Sequence, residues 1–229
     1  MATLYSSVLD EIGRRIVDGD PAADTALTLE GIGQEFGVSR TVAREVVQVL
    51  VSLGLVESRR RTGVRVLGAT HWDVMDPAVL RWRLASVERR RVVHELSEFR
   101  LAVEPTAVAL AARHATDAQR EELRDLAARM EETGSRGELA AFLEHDVAFH
   151  RLLLQASGNL QFARMAGMVE EVLRGRTDHD LMPPEPKPEA RRLHQMVADA
   201  VAEGQPQLAE SAMATLCAEV LTEMSDPPA

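Results

Sequence analysis

The 229-residue sequence lacks most of what braces small secreted or sheet-rich proteins. It holds one cysteine, Cys217, so no internal disulfide framework can form, and a reducing cytoplasm is the expected setting. Aromatic residues make up only 3% of the chain, against an abundance of Ala, Leu, Val, Glu and Arg. That balance favours helix, because those side chains lose little freedom in a helix whereas aromatic and β-branched ones suit strands. No apolar run approaches the roughly 20 residues that span a bilayer. The opening "MATLYSSVLDEIGRRIVDGD" has no signal-peptide core. No membrane association is expected. No period in the range of roughly 20–50 residues is present, which excludes a solenoid.

A basic excess is also missing. The formal net charge is −10, which argues against a nucleic-acid partner until it is divided along the chain. Residues 1–68 carry 8 arginines against 9 acids, whereas residues 69–229 carry 18 basic residues against 27 acids. The first part is near neutral with its arginines clustered, so contact with DNA over a small face is compatible with the whole-chain charge. What the chain does have is 45% hydrophobic content, enough for a sizeable core and for one large domain or two smaller ones.

In the first part, Leu4, Val8, Ile12 and Ile16 recur at helical spacing. "TLEGIGQEFGVSRTVAREVVQVLVSLGLV" then predicts a short helix, a break at Gly37, and a longer helix capped by Ser39, with Val42, Val46, Val47 and Leu50 as its inward stripe. "LVESRRRTGVRVL" predicts two short strands around an arginine-rich turn ending in Gly63. A short helix, a tight turn and a second helix is the helix-turn-helix arrangement, whose second helix reads base edges from its N-terminal end. Arg40 and Arg44 share one face opposite the valines, with Thr41 beside them, and a guanidinium fork reads guanine or clamps phosphate. Arg59, Arg60, Arg61 and Thr62 would sit at the hairpin tip, where Gly63 lets backbone approach the sugar-phosphate chain and arginines enter a minor groove.

These residues resemble the winged helix-turn-helix of the GntR superfamily, through GVSR-x3-RE-x5-L and the glycine that follows in the wing, over residues 4–68. The resemblance implies that Ser39, Arg40, Thr41 and Arg44 contact DNA and that Gly63 sits at the wing tip. Glu30 departs from it, standing where many members carry an arginine.

Residues 69–89 read as a linker holding Trp72 and Trp82. Beyond it, amphipathic helices are predicted over 88–114, 117–133, 138–157, 159–175, 188–204 and 206–224, with Asn159 as a helix cap. At 100° per residue, Leu139, Phe142, Asp146, Phe149, His150 and Leu153 fall within an arc of roughly 100°. Asp146 and His150 therefore lie one above the other on an inward face. His194 shares a stripe with Ala190, Val197 and Val201, and Arg100 shares one with Leu96, Val103 and Ala107. Buried charge is costly unless it is paired or coordinates something. Two imidazoles and a carboxylate suit Zn²⁺, Ni²⁺ or Mn²⁺. Arg100 suits bidentate recognition of an anion, with a buried ion pair to Glu104 one turn on as the alternative.

"ELSEFRLAVEPTAVALAARHA", "DVAFHRLLLQASGN" and His194 in "RRLHQMVADAVAEGQPQLAESAM" resemble the FCD effector domain of the FadR subgroup. The resemblance implies an all-helical antiparallel bundle of six to seven helices over residues 90–225, with a divalent metal held by Asp146, His150, His194 and one further histidine. The register of that last ligand lands on Leu216, which cannot coordinate a metal. Cys217 is one residue out of phase, and His145 and His179 have no positional support. A three-ligand site or no stable metal is the expectation. "MDPAVLRWRL" is also similar to sugar-acid-responsive members such as galactonate and gluconate repressors.

The expected protein is mainly α: a winged helix-turn-helix over 1–68, a linker over 69–89, and the bundle. Its expected role is that of a homodimeric regulator, a repressor released from a palindromic operator by a small carboxylate such as a sugar acid. Arg100, Asp146, His150 and His194 would line the effector pocket. A metal-dependent hydrolase built in a helical bundle, or a DNA-binding dimer without an effector, are the alternatives. The first lacks a placed general base or nucleophile.

Overall fold

Helix α1 (Leu4–Val17) buries Val8, Ile12 and Ile16, one residue per turn, and leaves its other faces to solvent. The computed structural model describes residues 4–59, 63–179, 181 and 186–225, and the chain divides into two units, Met1–Arg89 and Arg90–Ala229.

In the first unit, Thr28 Oγ1 accepts from the Gly31 N–H at 3.0 Å and starts α2 (Leu29–Phe36). Gly37 ends it at φ 64°, a left-handed cap that a side chain would strain. Ser39 Oγ accepts from the Val42 N–H at 3.3 Å and starts α3 (Arg40–Ser52). The innermost residues of α3 are Ala43, Val46, Val47 and Leu50; Val42 is only half-buried, because the stripe sits one residue further round than its valines indicated. Strands β2 (Val56–Arg59) and β3 (Gly63–Val66) form the expected hairpin, with Val56 opposite Val66. A third strand, β1 (Ala26–Leu27), pairs antiparallel with the other edge of β3, giving the order β1-β3-β2. Two residues are too few for alternation to be visible in sequence.

The segment read as a linker is built rather than open. After a 3-10 turn (Ala69–His71), Asp76 Oδ1 accepts from the Ala78 N–H at 2.8 Å and caps α4 (Pro77–Ala85). Trp82 is buried against α1, where a Cβ added at Gly13 would come within 2.5 Å of the indole ring. Its Nε1–H donates to Asp10 Oδ1 at 3.2 Å. A bulky ring needs a notch, and the glycine of α1 supplies one. Residues up to Ala85 thus belong structurally with the first unit.

The second unit has seven helices among the described residues: α5 (Arg89–His114), α6 (Asp117–Ser135), α7 (Leu139–Ala156), α8 (Leu160–Arg164), α9 (Ala166–Asp178), α10 (Pro188–Ala202) and α11 (Pro206–Ser225). The stretch read as one helix over 159–175 breaks at Met165 into α8 and α9. Thr116 and Gln119 form a reciprocal capping box on α6. Asn159 Oδ1 accepts from the Gln161 N–H at 2.9 Å, which makes it the cap of α8. Leu123 and Met130 of α6, Phe149 and Leu153 of α7, Val197 and Val201 of α10 and Met213 of α11 fill the core. Arg120 ties two helix ends together: its guanidinium donates to Ala112 O and Ala115 O at the end of α5 and to Val201 O and Ala202 O at the end of α10. Among the described residues no helix is long and apolar enough to cross a membrane.

Candidate functional site

In the first unit the side chains expected to meet DNA share one open face. Ser39, Arg40, Thr41 and Arg44 are all exposed, because the apolar residues of α3 occupy its opposite side. Arg40 and Arg44 line a groove of about 1000 Å³ together with Gln48 of the same helix, Glu30 of α2, and Ser58 and Gly63 of the hairpin. Gly63 has φ +88°, and a Cβ there would approach Leu27 O to 2.8 Å, so only glycine fits. Glu30 accepts from Gln34 Nε2 at 3.3 Å. Glu30 lines the same groove as the two arginines. Arg65 is engaged elsewhere, pairing with Glu57 at 2.6 Å and with Asp24. Arg60, Arg61 and Thr62 lie outside the described residues, and of Arg59 only the backbone, paired with Gly63 at the end of the hairpin, is described.

In the second unit Arg100, Asp146, His150 and His194 come together, each 5% exposed or less. They line a cavity of about 60 Å³ with Phe142, Leu216 and Arg176 among its other walls. Helix periodicity puts them inward, and tertiary packing makes them meet. The Asp146 Oδ1 atom lies 3.3 Å from His150 Nε2 and 3.2 Å from His194 Nε2. Phe149 packs edge-on against both imidazoles, at ring-centroid distances of 5.8 and 5.4 Å, and holds their planes.

The other ring nitrogens settle the proton positions. His194 Nδ1 faces Ala190 O at 2.7 Å, and a carbonyl only accepts, so Nδ1 carries the proton and donates. His150 Nδ1 faces Glu104 Oε2 at 2.9 Å and donates for the same reason. In the neutral rings both Nε2 lone pairs therefore point to where Asp146 Oδ1 also points. Asp146 Oδ1 and His194 Nε2 are buried, close, and out of hydrogen-bond geometry. Acceptors facing one another at that spacing call for a positive charge between them, a proton or a metal ion. Edges of 3.2 and 3.3 Å suit ligands placed about 2.0–2.2 Å from one ion. The donor set fits a divalent metal.

Arg100 is paired as the ion-pair alternative foresaw. Its Nε donates to Glu104 Oε1 at 2.6 Å and its Nη2 to Glu104 Oε2 at 3.3 Å, with Nη2 also 3.5 Å from His150 Nε2. The guanidinium thus borders the cavity and is held by Glu104 at the same time. Leu216 lies on the cavity wall beside the three ligands. Cys217 instead donates to Glu104 Oε2 at 3.9 Å and is not part of the metal-capable group of Asp146, His150 and His194. Neither His145 nor His179 joins the metal-capable group found among the described residues.

Burial opposes charge throughout this cluster, and pairing overrides it at four groups, beginning with Arg100, which Glu104 holds above its ordinary range. Against burial, Arg100 and His150 hold the Glu104 carboxyl down at about 2. His150 and His194 likewise hold Asp146 well below the usual carboxylate range. Against burial, Glu104 and Asp146 raise the His150 imidazole to about 9. Burial and Glu104 push the Cys217 thiol up to about 12, so it is a poor nucleophile. Two residues of this cluster, Arg176 on the cavity wall and Glu104 behind it, escaped the sequence reading as parts of the site. Glu104 entered it only as a partner for Arg100, and Arg176 not at all. Arg176 is buried in the stripe of Val169, Val172 and Leu173, a helical spacing that would have revealed it.

Comparisons with known proteins agree with both halves. Residues 95–218 match the FCD domain, and residues 4–66 match the bacterial regulatory proteins of the gntR family. The uncharacterized HTH-type transcriptional regulator YieP of Escherichia coli (strain K12) is 30% identical over 164 residues, 71% of each chain. The galactonate operon transcriptional repressor of the same organism is 28% identical over 209 residues, 90% of each chain. Among solved structures, that of Lar, which controls the expression of the Listeria monocytogenes agr system, covers 98% of this chain and 97% of its own at 20% identity, with a TM-score of 0.64. That likeness bears on the fold alone.

Proposed function

Because the chain belongs to the gntR family of bacterial regulatory proteins and carries an FCD domain, we propose that it is a repressor released from its operator by a small carboxylate. Family membership makes it a DNA-binding transcription regulator with a ligand-binding effector domain, and sets aside the hydrolase alternative. The observation that carries the finer reading is the buried cavity on which Arg100, Asp146, His150 and His194 converge. Asp146 Oδ1 and His194 Nε2 are buried there without hydrogen-bond partners, and an occupant of the cavity would satisfy them. The name of the galactonate operon repressor points to a sugar acid as that occupant.

Each side chain has a role in this reading. Asp146, His150 and His194 hold a Zn²⁺, Ni²⁺ or Mn²⁺ ion, with Leu216 leaving the fourth side open. The metal, when bound, supplies positive charge for carboxylate and hydroxyl oxygens. Arg100 has five N–H groups, of which Glu104 engages only one edge, so the guanidinium also meets the effector's carboxylate. On the DNA side, Ser39, Arg40, Thr41 and Arg44 read one half-site. Arg59, Arg60, Arg61, Thr62 and Gly63 follow the backbone or minor groove beside it. One short helix covers one half-site, so a homodimer on a palindromic operator doubles the contact. A DNA partner places the protein in the cytoplasm. The effector acts by binding one arrangement of the dimer better than the other, and it shifts the equilibrium only by that difference.

The test is operator release in a gel-shift titration with D-galactonate and D-gluconate. Release by one of them, abolished in Arg100→Ala with operator affinity unchanged, is the expected result. Normal release from Arg100→Ala would refute the effector assignment. Failure of both acids on the unaltered protein would remove the sugar-acid class.

A further inference from the structure

Among the described residues Glu104 is the buried carboxylate that touches both Arg100 and His150 of the pocket lining. It sits on α5, one turn after Arg100 and next to Pro105, and it is 2% exposed. Its Oε1 accepts from Arg100 Nε at 2.6 Å. Its Oε2 accepts from His150 Nδ1 at 2.9 Å, with Arg100 Nη2 at 3.3 Å. A carboxylate has about four acceptor sites, and these contacts use both oxygens. One side of Glu104 is thus the guanidinium that borders the cavity. The other is the imidazole whose Nε2 faces Asp146 at 3.3 Å.

We propose that Glu104 is a positioning residue that binds neither metal nor effector, but fixes the tautomer of His150 and the orientation of Arg100 together. The proposal rests on the metal and effector reading given above. With a metal ion in place of the Nε2 proton the imidazole keeps one proton, and it stays on whichever nitrogen faces a pure acceptor. Glu104 is that acceptor at Nδ1, and it leaves the Nε2 lone pair directed toward Asp146, with Arg100 Nη2 alongside at 3.5 Å. The same carboxylate holds the guanidinium by two N–H groups, which keeps its Nη2 contact with the Nε2 lone pair at a long 3.5 Å. The His194 ring reaches the same state differently, through Ala190 O of its own helix. The His150 ring alone depends on a partner 46 residues away. Its readiness to ligate is therefore tied to the state of the anion-binding arginine.

The amide of Glu104→Gln exposes this arrangement, since it has one acceptor oxygen where the carboxylate has two. The guanidinium, being charged, takes that oxygen, and the amide NH₂ turns toward His150 Nδ1. Nδ1 must then accept, and the ring proton moves to Nε2, the ligand atom. Removing Arg100 as well frees the amide oxygen for the Nδ1–H and restores the ligating tautomer.

The experiment is a double-mutant cycle on the full chain, with Zn²⁺ alone titrated by calorimetry at pH 8 into the unaltered protein, Glu104→Gln, Arg100→Met and Arg100→Met/Glu104→Gln. With Arg100 in place, Glu104→Gln should weaken Zn²⁺ binding by about 10- to 100-fold, the scale of lost support behind a metal ligand. On top of Arg100→Met the same change should cost less than about threefold, because the double variant recovers the tautomer. A purely structural role would cost the same factor in both backgrounds, and that result overturns the proposal. So does an undiminished affinity in Glu104→Gln. If Glu104→Gln does not fold, the double variant, which removes both charges, must still bind Zn²⁺ as tightly as Arg100→Met. Absence of Zn²⁺ binding by the unaltered chain overturns the metal reading and this proposal together. Zn²⁺ binding with equal losses in the two backgrounds overturns this proposal alone.

Discussion

Substitution of Arg120 by methionine should loosen the effector unit at a point remote from its pocket. Helix ends leave their last carbonyls without partners. Here one guanidinium serves two such ends: Ala112 O at 3.2 Å and Ala115 O at 3.0 Å on α5, Val201 O at 3.0 Å and Ala202 O at 2.7 Å on α10. Its positive charge also faces the negative ends of both helix dipoles. Hydrogen bonds from a charged donor contribute about 1.5–3 kcal/mol each, so outright loss of all four would cost roughly 6–12 kcal/mol. Arg120 is half-exposed, however, and water replaces part of what methionine removes. Methionine also keeps the packing of the aliphatic stem. A net loss of about 3 kcal/mol follows, equivalent to a fall in melting temperature of roughly 6–12 °C for a unit of this size. Urea unfolding followed by far-ultraviolet circular dichroism measures it, as a lower midpoint at unchanged slope. Arg120→Lys should recover less than half, since an ammonium cannot span four carbonyls. The consequence for function is specific. Helix α5 carries Arg100 and Glu104, and α10 carries His194, so the clamp joins the two walls of the pocket. A methionine variant within about 0.5 kcal/mol of the unaltered protein would refute the reasoning, since surface changes without structural roles fall in that range.

Other outcomes are equally open to measurement. Arg44→Ala should weaken operator binding and reduce the slope of log affinity against log salt by about 1, as read by fluorescence anisotropy; an unchanged slope excludes a phosphate contact by this residue. Leu216→His places a fourth imidazole on the cavity wall and should raise Zn²⁺ affinity by roughly tenfold or more. Unchanged affinity would mean that position 216 does not face the ligand atoms. The pH dependence of the metal-free protein follows from His150, whose folded value of about 9 lies above its ordinary 6.5. The extra proton stabilises the native state fully below pH 6.5, and that stability is lost as pH rises to about 9. Zn²⁺ affinity should rise over the same window, because the ion must displace that proton. Stability flat from pH 6.5 to 9 would contradict the assignment.

Much of this protein was legible before any tertiary contact. Cap residues and period are local properties, so Ser39, Thr116 and Asn159 start helices where a short polar side chain can satisfy a bare N–H. The inward placement of Asp146 and His150 follows from 3.6-residue geometry alone, since four residues bring two side chains onto one face. The break in the register of metal ligands at Leu216 was equally visible, because it needs only counting.

What the chain could not reveal is which buried groups meet. Periodicity assigns Arg100, Asp146, His150 and His194 to inward faces of three helices, but a face carries no record of its neighbour's rotation or height. Packing decided that Glu104 would stand between Arg100 and His150, that Arg176 would join the same wall, and that Cys217 would turn to Glu104 rather than to the metal ligands. Packing also turned the supposed linker into α4, because Trp82 meets the notch at Gly13, far away in sequence. The sequence alone determined two parts, an arginine-faced reading helix and a bundle with charge in its core. Only the tertiary structure made of that charge a single site, since a buried carboxylate is stable where its partners converge and nowhere else.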